Sequence, residues 1–261
     1  MSIEVSGVTK RFGDFVALDN VNVSLPNGQL TALLGPSGGG KSTLLRIIAG
    51  LDSADAGTVS IEGVDATKLP PQKRNVGFVF QHYAVFKHMT VAKNVAFGLE
   101  IKGMSKAEIA EKVEWLLQKL HLQDFRNRYP KDLSGGMRQR VAIARVLALD
   151  SPILLMDEPF GALDALTRRT LQDELLRIWE EVGKTILFVT HSIEESIYLA
   201  DRIIVMTYRP GTIKRDVAVD MPRPRDGSTP EFNRLKRELS QMVMEEQQRF
   251  SQDEIRSVTA D

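Results

Sequence analysis

Apolar and polar positions alternate through the first 34 residues, and this alternation predicts strands joined by turns. Ile3, Val5 and Val8 open the pattern. Ala17, Leu18, Val21, Val23 and Leu25 carry it to the turn signal Pro26-Asn27-Gly28. Residues 29–34 then become almost continuously apolar, as in a buried strand, and residues 42–49 read as a helix. Residues 57–63 read as a strand between glycines, and residues 76–80 as a buried strand ending at Gln81. The character changes to helical over residues 90–149. Ser105-Lys106-Ala107-Glu108 is a capping box. It opens a helix with Ile109, Val113, Leu116, Leu117 and Leu120 on one face, and residues 136–149 form a second helical stretch. Two strongly apolar strands, 153–156 and 185–189, flank a helix over 165–181. Beyond Asp220, Pro222, Pro224 and Gly227 break the pattern. Residues 231–250 then read as a charged helix with a thin apolar stripe of Leu235, Leu239 and Met242.

Buried strands alternating with helices argue an α/β fold with a parallel sheet. The 261 residues, 43% of them hydrophobic, suffice for one large core or two joined lobes. Lys+Arg and Asp+Glu both number 34, so no bulk charge draws the chain to nucleic acid. The absence of cysteine excludes disulfides and thiolate metal sites. The first residues carry no apolar signal core, and no apolar run approaches the ~20 residues that span a bilayer. The expectation is a soluble, cytoplasmic chain that reaches a membrane only through a partner.

Chemistry enters at Gly35-Pro36-Ser37-Gly38-Gly39-Gly40-Lys41-Ser42, which matches G-x-x-x-x-G-K-[ST] at every fixed position. Between a buried strand and a helix, such a loop wraps backbone N–H groups around nucleotide phosphates. Lys41 reaches the terminal phosphates and the Ser42 hydroxyl ligates Mg²⁺. Residues 153–156 lead into Asp157-Glu158. Asp157 then supports Mg²⁺ and Glu158 polarises the attacking water. The plainer reading of this pair is a cap on the next helix. Leu133-Ser134-Gly135-Gly136-Met137 precedes a helix, and Ser134 with its two glycines makes a second anion-binding start or an ordinary cap. Gln81 is a candidate Mg²⁺ or water ligand, or simply a loop residue. His191, after a strand, either meets the terminal phosphate or is structural.

The order of these segments, together with Ala162-Leu163-Asp164, resembles the ATP-binding subunits of ABC transporters over residues 1 to about 220. The resemblance implies a phosphate-loop ATPase with a parallel core sheet, an N-terminal antiparallel β-subdomain and an inserted helical subdomain. It implies an ATP-binding domain over 1–230, with the helical subdomain at about 82–149, and a helical tail over 231–261. It assigns Gly35–Thr43 to the Walker A loop, with Pro36, Ser37, Gly38, Gly39, Gly40, Lys41 and Ser42 among its contacts. Gln81 resembles the Q-loop glutamine, and Ser134, Gly135 and Gly136 the signature. Asp157 resembles the Walker B acid, Glu158 the catalytic glutamate, Asp164 the D-loop aspartate and His191 the switch histidine. Phe12 falls where the family stacks an aromatic on adenine; a buried strand residue is the other reading of it. Met137 replaces the family's usual signature glutamine, Gly161 stands where Ser is more frequent, and Gly39 adds a third consecutive glycine.

The implied ligands are ATP and Mg²⁺. The implied partners are a second copy of the chain, closed head to tail by ATP, integral-membrane permease subunits and, indirectly, a solute-binding protein. The implied place is the cytoplasmic face of the inner membrane. Residues 81–99 resemble sulfate-type importers, and residues 209–213 with 221–226 resemble the nitrate, sulfonate and taurine group. A small oxyanion is therefore the expected cargo. An importer or exporter of other cargo and a non-transport ABC ATPase are the alternatives. DNA-repair ATPases of this family place a long coiled coil between their nucleotide motifs, whereas here Lys41 and Asp157 are about 116 residues apart without sustained heptads. The roughly 40 residues after Asp220 are too few for an appended regulatory β-domain. The tail carries no motif residue, so its expected role is stability or assembly.

Overall fold

Strands β1 (Ile3–Phe12) and β2 (Phe15–Leu25) form an antiparallel hairpin that sets Phe12 opposite Phe15. The structure is a computed structural model describing residues 2–258, with side chains described as far as residue 249. Met1 and residues 259–261 of the expected tail lie outside the described residues. After the hairpin come β3 (Leu30–Leu34), α1 (Lys41–Ala49), β4 (Ala56–Ile61) and β5 (Val64–Asp65). The middle of the chain forms β6 (Val76–Val79), α2 (Val91–Ile101), α3 (Lys106–Lys119), α4 (Gly135–Ala148), β7 (Ile153–Asp157) and α5 (Ala165–Val182). Then follow β8 (Thr185–Thr190), α6 (Ile193–Leu199), β9 (Arg202–Met206), β10 (Ile213–Ala218) and α7 (Pro230–Val258). The chain divides into two compact units, residues 1–74 with 185–261, and residues 75–184.

In the first unit, an antiparallel sheet has the order β2-β1-β4-β5. A second set runs β10-β9-β3-β8, with β3 parallel to both β8 and β9 and β10 antiparallel on β9. Every residue of β3 and β8 is buried, which explains their unbroken apolar sequence. The fold is α/β with the parallel strands expected from the sequence. β10 is polar and half-exposed, as suits an edge strand. Buried Arg225 donates to the carbonyls of Ile197 (2.7 Å), Ala200 (2.5 Å), Met221 (3.0 Å) and Val219 (3.1 Å), satisfying acceptors at the end of α6. Burial, with Arg223 nearby, lowers its pKa to about 10, so it stays charged at neutral pH. The tail helix α7 runs past the expected residue 250, and its buried positions among the described side chains are Phe232, Leu239, Val243 and Glu246. Leu235 and Met242 are only half-buried, so the stripe is rotated from the one read in the sequence.

In the second unit β6 lies parallel to β7, pairing Val76–Val79 with Ile153–Met156. A Cβ on Gly77 would lie 2.3 Å from Val146 Cγ1, so the glycine lets α4 approach β6. The predicted capping box closes both ways: the Ser105 amide donates to Glu108 Oε2 (2.9 Å) and the Glu108 amide to Ser105 Oγ (3.3 Å). Val113, Leu116, Leu117 and Leu120 are buried as expected, and Ile109 half-buried. Arg140 of α4 grips Glu174 of α5 with two hydrogen bonds of 2.9 Å. Burial raises the Glu174 carboxyl above the usual range, and Arg140 opposes that rise. The sequence reading did not specify α2, α6, β9 or β10. Among the described residues no helix is long and apolar enough to cross a membrane.

Candidate functional site

The first unit holds the phosphate loop. It leaves β3 and enters α1 without a side-chain cap, because the N-cap position is Gly40 in a left-handed conformation (φ 79°). Gly38 is also left-handed (φ 80°), a backbone that side-chain-bearing residues rarely adopt. Beneath the loop there is no room for a Cβ. One on Gly35 would lie 2.7 Å from Met206 O, one on Gly39 2.7 Å from Thr207 O, and one on Gly40 2.6 Å from Leu18 Cδ2. The third consecutive glycine is thus required by the backbone after β9. Lys41 is 4% exposed, and its ammonium donates to the carbonyls of Gly35 (2.9 Å) and Pro36 (2.7 Å). Gly35 and Pro36 are buried, Ser37 and Gly38 exposed, and Ser42 and Thr43 half-buried. A helix start without a side-chain cap, a glycine cradle and an inward ammonium form a donor set that fits an oligophosphate.

Two further candidates belong to the same unit. His191 is exposed, directly after β8, and the next residue, Ser192, caps α6 by accepting from the Glu195 amide at 3.3 Å. Phe12 is 50% exposed, with Lys10 Nζ 5.2 Å from its ring centroid. The buried-residue reading of Phe12 is therefore wrong, and an exposed ring face is present for stacking.

The second unit holds the remaining candidates. Asp157 ends β7, and Glu158 follows it in a left-handed conformation (φ 43°). Such a conformation costs a non-glycine residue on the order of 1 kcal/mol or more. Gln81 Nε2 donates to Glu158 Oε2 at 3.0 Å, so this pair is brought together. The cap of α5 is Asp164, which accepts from the Thr167 amide at 3.0 Å; Asp157 and Glu158 do not cap that helix. Hydrogen bonds from the Thr167 backbone and side chain hold the Asp164 carboxyl below the usual carboxylate range. Ser134 is exposed and caps α4 by accepting from the Met137 amide at 3.3 Å. A Cβ on Gly136 would meet Thr167 Cγ2 at 2.4 Å, and one on Gly135 would meet Tyr83 Oη at 2.9 Å.

The sequence reading passed over Gln139, which is 1% exposed and donates to Pro159 O at 2.6 Å, pinning the backbone just after Glu158. A lone glutamine on a helix gave no signal for this. Among the described residues no group of three or more His, Cys, Asp or Glu is arranged to hold a metal. A divalent cation at Ser42, Gln81 or Asp157 would complete its shell with phosphate and water oxygens, as Mg²⁺ commonly does.

A glycine loop at a helix start and an acidic pair closing a buried strand place the chain among the phosphate-loop proteins. The chain belongs to the ABC transporter family, whose model it matches over residues 18–161. It is 59% identical over 205 residues to the sulfate/thiosulfate import ATP-binding protein CysA of Mycobacterium tuberculosis, covering 78% of this chain and 58% of that protein. It is 55% identical over 207 residues to the protein of the same name from a Synechocystis species, covering 79% and 58%. The chain thus spans under two thirds of the length of these curated relatives. The structure resembles the ATP-binding cassette MJ0796, solved as a dimer in a post-hydrolysis state bound to ADP and Pi. The TM-score is 0.75 and the identity 35%, over 84% of this chain and 100% of that one.

Proposed function

We propose that the chain is the ATP-hydrolysing subunit of an ABC importer for a small oxyanion. The observation that carries this reading is the phosphate loop, with buried Lys41 drawn inside a glycine cradle that excludes any Cβ. In this reading the loop amides and Lys41 bind the phosphates of ATP, and Phe12 stacks on the adenine. Ser42, Gln81 and Asp157 hold Mg²⁺, which neutralises phosphate charge. Glu158, its carboxylate oriented by Gln81, polarises the attacking water. His191 hydrogen-bonds the terminal phosphate. Asp164 and the Ser134–Gly136 helix start serve the nucleotide of a second copy.

That second copy is the natural occupant of the signature. One nucleotide does not need two anion-binding helix starts, and a head-to-tail pair uses both. The dimeric state of MJ0796 supports this pairing. The further partners are permease subunits and, through them, a solute-binding protein; nucleic acid is not among them. The chain would work peripherally on the cytoplasmic face of the inner membrane. Residues 1–230 would be the ATP-binding domain, with the helical subdomain at about 82–149, and residues 231–261 the tail. Within the oxyanion class, the names of the curated relatives favour sulfate over nitrate or sulfonate and taurine.

Co-purification from a detergent extract of the native membrane tests the transport role. A polytopic membrane subunit should accompany the chain. Quantitative recovery of the chain alone, with full ATPase activity and no membrane protein in stoichiometric amount, would overturn that role.

A further inference from the structure

Among the described side chains of α7 the deepest polar residue is Glu246, which is 2% exposed. Its Oε1 receives Lys214 Nζ at 2.8 Å, and its Oε2 receives the backbone amide of Tyr208 at 3.2 Å. Lys214 also donates to Glu245 (2.9 Å) and to the Met242 carbonyl (3.1 Å). Burial opposes the Lys214 charge, but the bonds to Glu245 and Glu246 outweigh it and raise the pKa. Arg249, one turn further along α7, also donates to Oε1 at 3.4 Å, so the carboxylate makes two charge-dependent contacts and one backbone contact. The ion pair with Lys214 fastens the helix to β10. The bond to Tyr208 fastens it to the turn between β9 and β10.

That turn is the floor of the phosphate loop. Thr207 Oγ1 closes it by accepting from the Thr212 amide (2.8 Å) and donating to Pro210 O (2.7 Å). Gly211 exchanges hydrogen bonds with β2, donating to Ala17 O (3.0 Å) and accepting from the Asp19 amide (3.1 Å). A Cβ on Gly211 would lie 2.4 Å from Gly39 O, and one on Gly38 would lie 3.5 Å from both Arg209 Nη2 and Tyr208 Cε2. The Arg209 guanidinium stacks on Phe15 (4.6 Å to the centroid) and Tyr208 (5.2 Å). The turn that Glu246 holds thus lies close beside the loop, with Tyr208 and Arg209 next to Gly38, and Thr207 and Gly211 next to Gly39.

We propose that Glu246 is a positioning residue for the phosphate loop: through the Tyr208 amide, α7 holds residues 207–211 against Gly38 and Gly39 and so sets the affinity for nucleotide. This rests on the proposed binding of ATP by that loop. It gives the tail a role in nucleotide binding that its lack of motif residues did not suggest.

The ion pairs of the carboxylate and its bond to the Tyr208 amide separate chemically. Glu246→Gln loses the charge but keeps an oxygen to accept from Tyr208. Glu246→Leu loses both. Glu246→Asp keeps the charge, and flexible Lys214 follows the retracted carboxylate where the Tyr208 backbone does not. The experiment titrates a fluorescent ATP analogue with Mg²⁺ into the full chain and its three variants, and melts each without nucleotide. Glu246→Leu should raise Kd by about threefold to tenfold, the size of one lost hydrogen bond. Glu246→Gln should stay within about twofold of the parent while its melting temperature falls with that of Glu246→Leu. Glu246→Asp should raise Kd with less loss of melting temperature, and it decides the matter if Glu246→Leu does not fold. Kd values that all equal the parent's, or that follow melting temperature across the series, would overturn the inference and leave the nucleotide site standing. A parent that binds no nucleotide would overturn both.

Discussion

The side-chain amide of Gln81 donates to Oε2 of Glu158 at 3.0 Å. The two residues are 77 positions apart, at the ends of the parallel strands β6 and β7. Glu158 sits in a left-handed conformation, and Gln139 holds the next carbonyl at 2.6 Å. The acid is thus fixed from the side-chain end and from the backbone.

Gln81→Ala removes the side-chain restraint and, with it, one proposed Mg²⁺ ligand. Turnover should fall roughly tenfold or more, the scale of one hydrogen bond to a charged group. Phosphate release under saturating Mg-ATP measures it. An unchanged rate would show that the Glu158 carboxylate needs no orienting donor.

Lys41→Ala removes the ammonium that lies among the loop carbonyls of Gly35 and Pro36. Hydrolysis should vanish and nucleotide affinity should drop, because the remaining loop amides carry no full positive charge. Equilibrium binding of the fluorescent analogue and a phosphate assay read the two effects separately. Near-parental turnover would remove Lys41 from the mechanism.

Ser134→Arg places a bulky cation on the exposed cap of α4. The variant should still bind nucleotide, because its own phosphate loop is untouched. It should neither pair with a second copy nor hydrolyse. Chromatography in Mg-ATP that shows a dimer with parental turnover would reduce Ser134 to a helix cap.

The Asp164 cap makes the stability of α5 depend on pH. Its carboxyl is held below the usual carboxylate range by the Thr167 amide and hydroxyl. A depressed carboxylate contributes stability above its unfolded-state pKa and loses it as pH falls through the folded-state value. The parent should therefore exceed Asp164→Ala in urea midpoint at neutral pH. The gap should narrow as pH falls below about 4, where the unfolded state protonates before the folded one. A gap independent of pH would show that the capping charge contributes nothing.

Legibility in the sequence followed the range of the interactions. The phosphate loop was readable because phosphate binding fixes glycine, lysine and hydroxyl at set spacings, and the capping box of α3 because both halves lie within four residues. The reason for Gly39 was not readable: it is the carbonyl of Thr207, far along the chain. Residues 203–205 form a β-branched apolar run, and Ser192 with Glu195 has capping-box spacing. Both signals for β9 and α6 were therefore present. The stripe on α7 passed over apolar Phe232 and Val243, and it could not include Glu246, a buried glutamate satisfied by Lys214 and Tyr208. Gln139 and the turn at Tyr208–Arg209 were missed for the same reason, since their partners are remote in sequence.

Glu158→Gln tests the proposed chemistry most directly. Amide replaces carboxylate with the shape kept, while Lys41, the glycine loop and Asp157 are unchanged. The measurement is phosphate release from Mg-ATP by the purified variant, at nucleotide concentrations shown to saturate binding. Turnover should fall by about 10²–10⁴-fold, the loss expected when general-base help is removed. Parental turnover by Glu158→Gln at saturating ATP would contradict the mechanism and return Glu158 to a structural role.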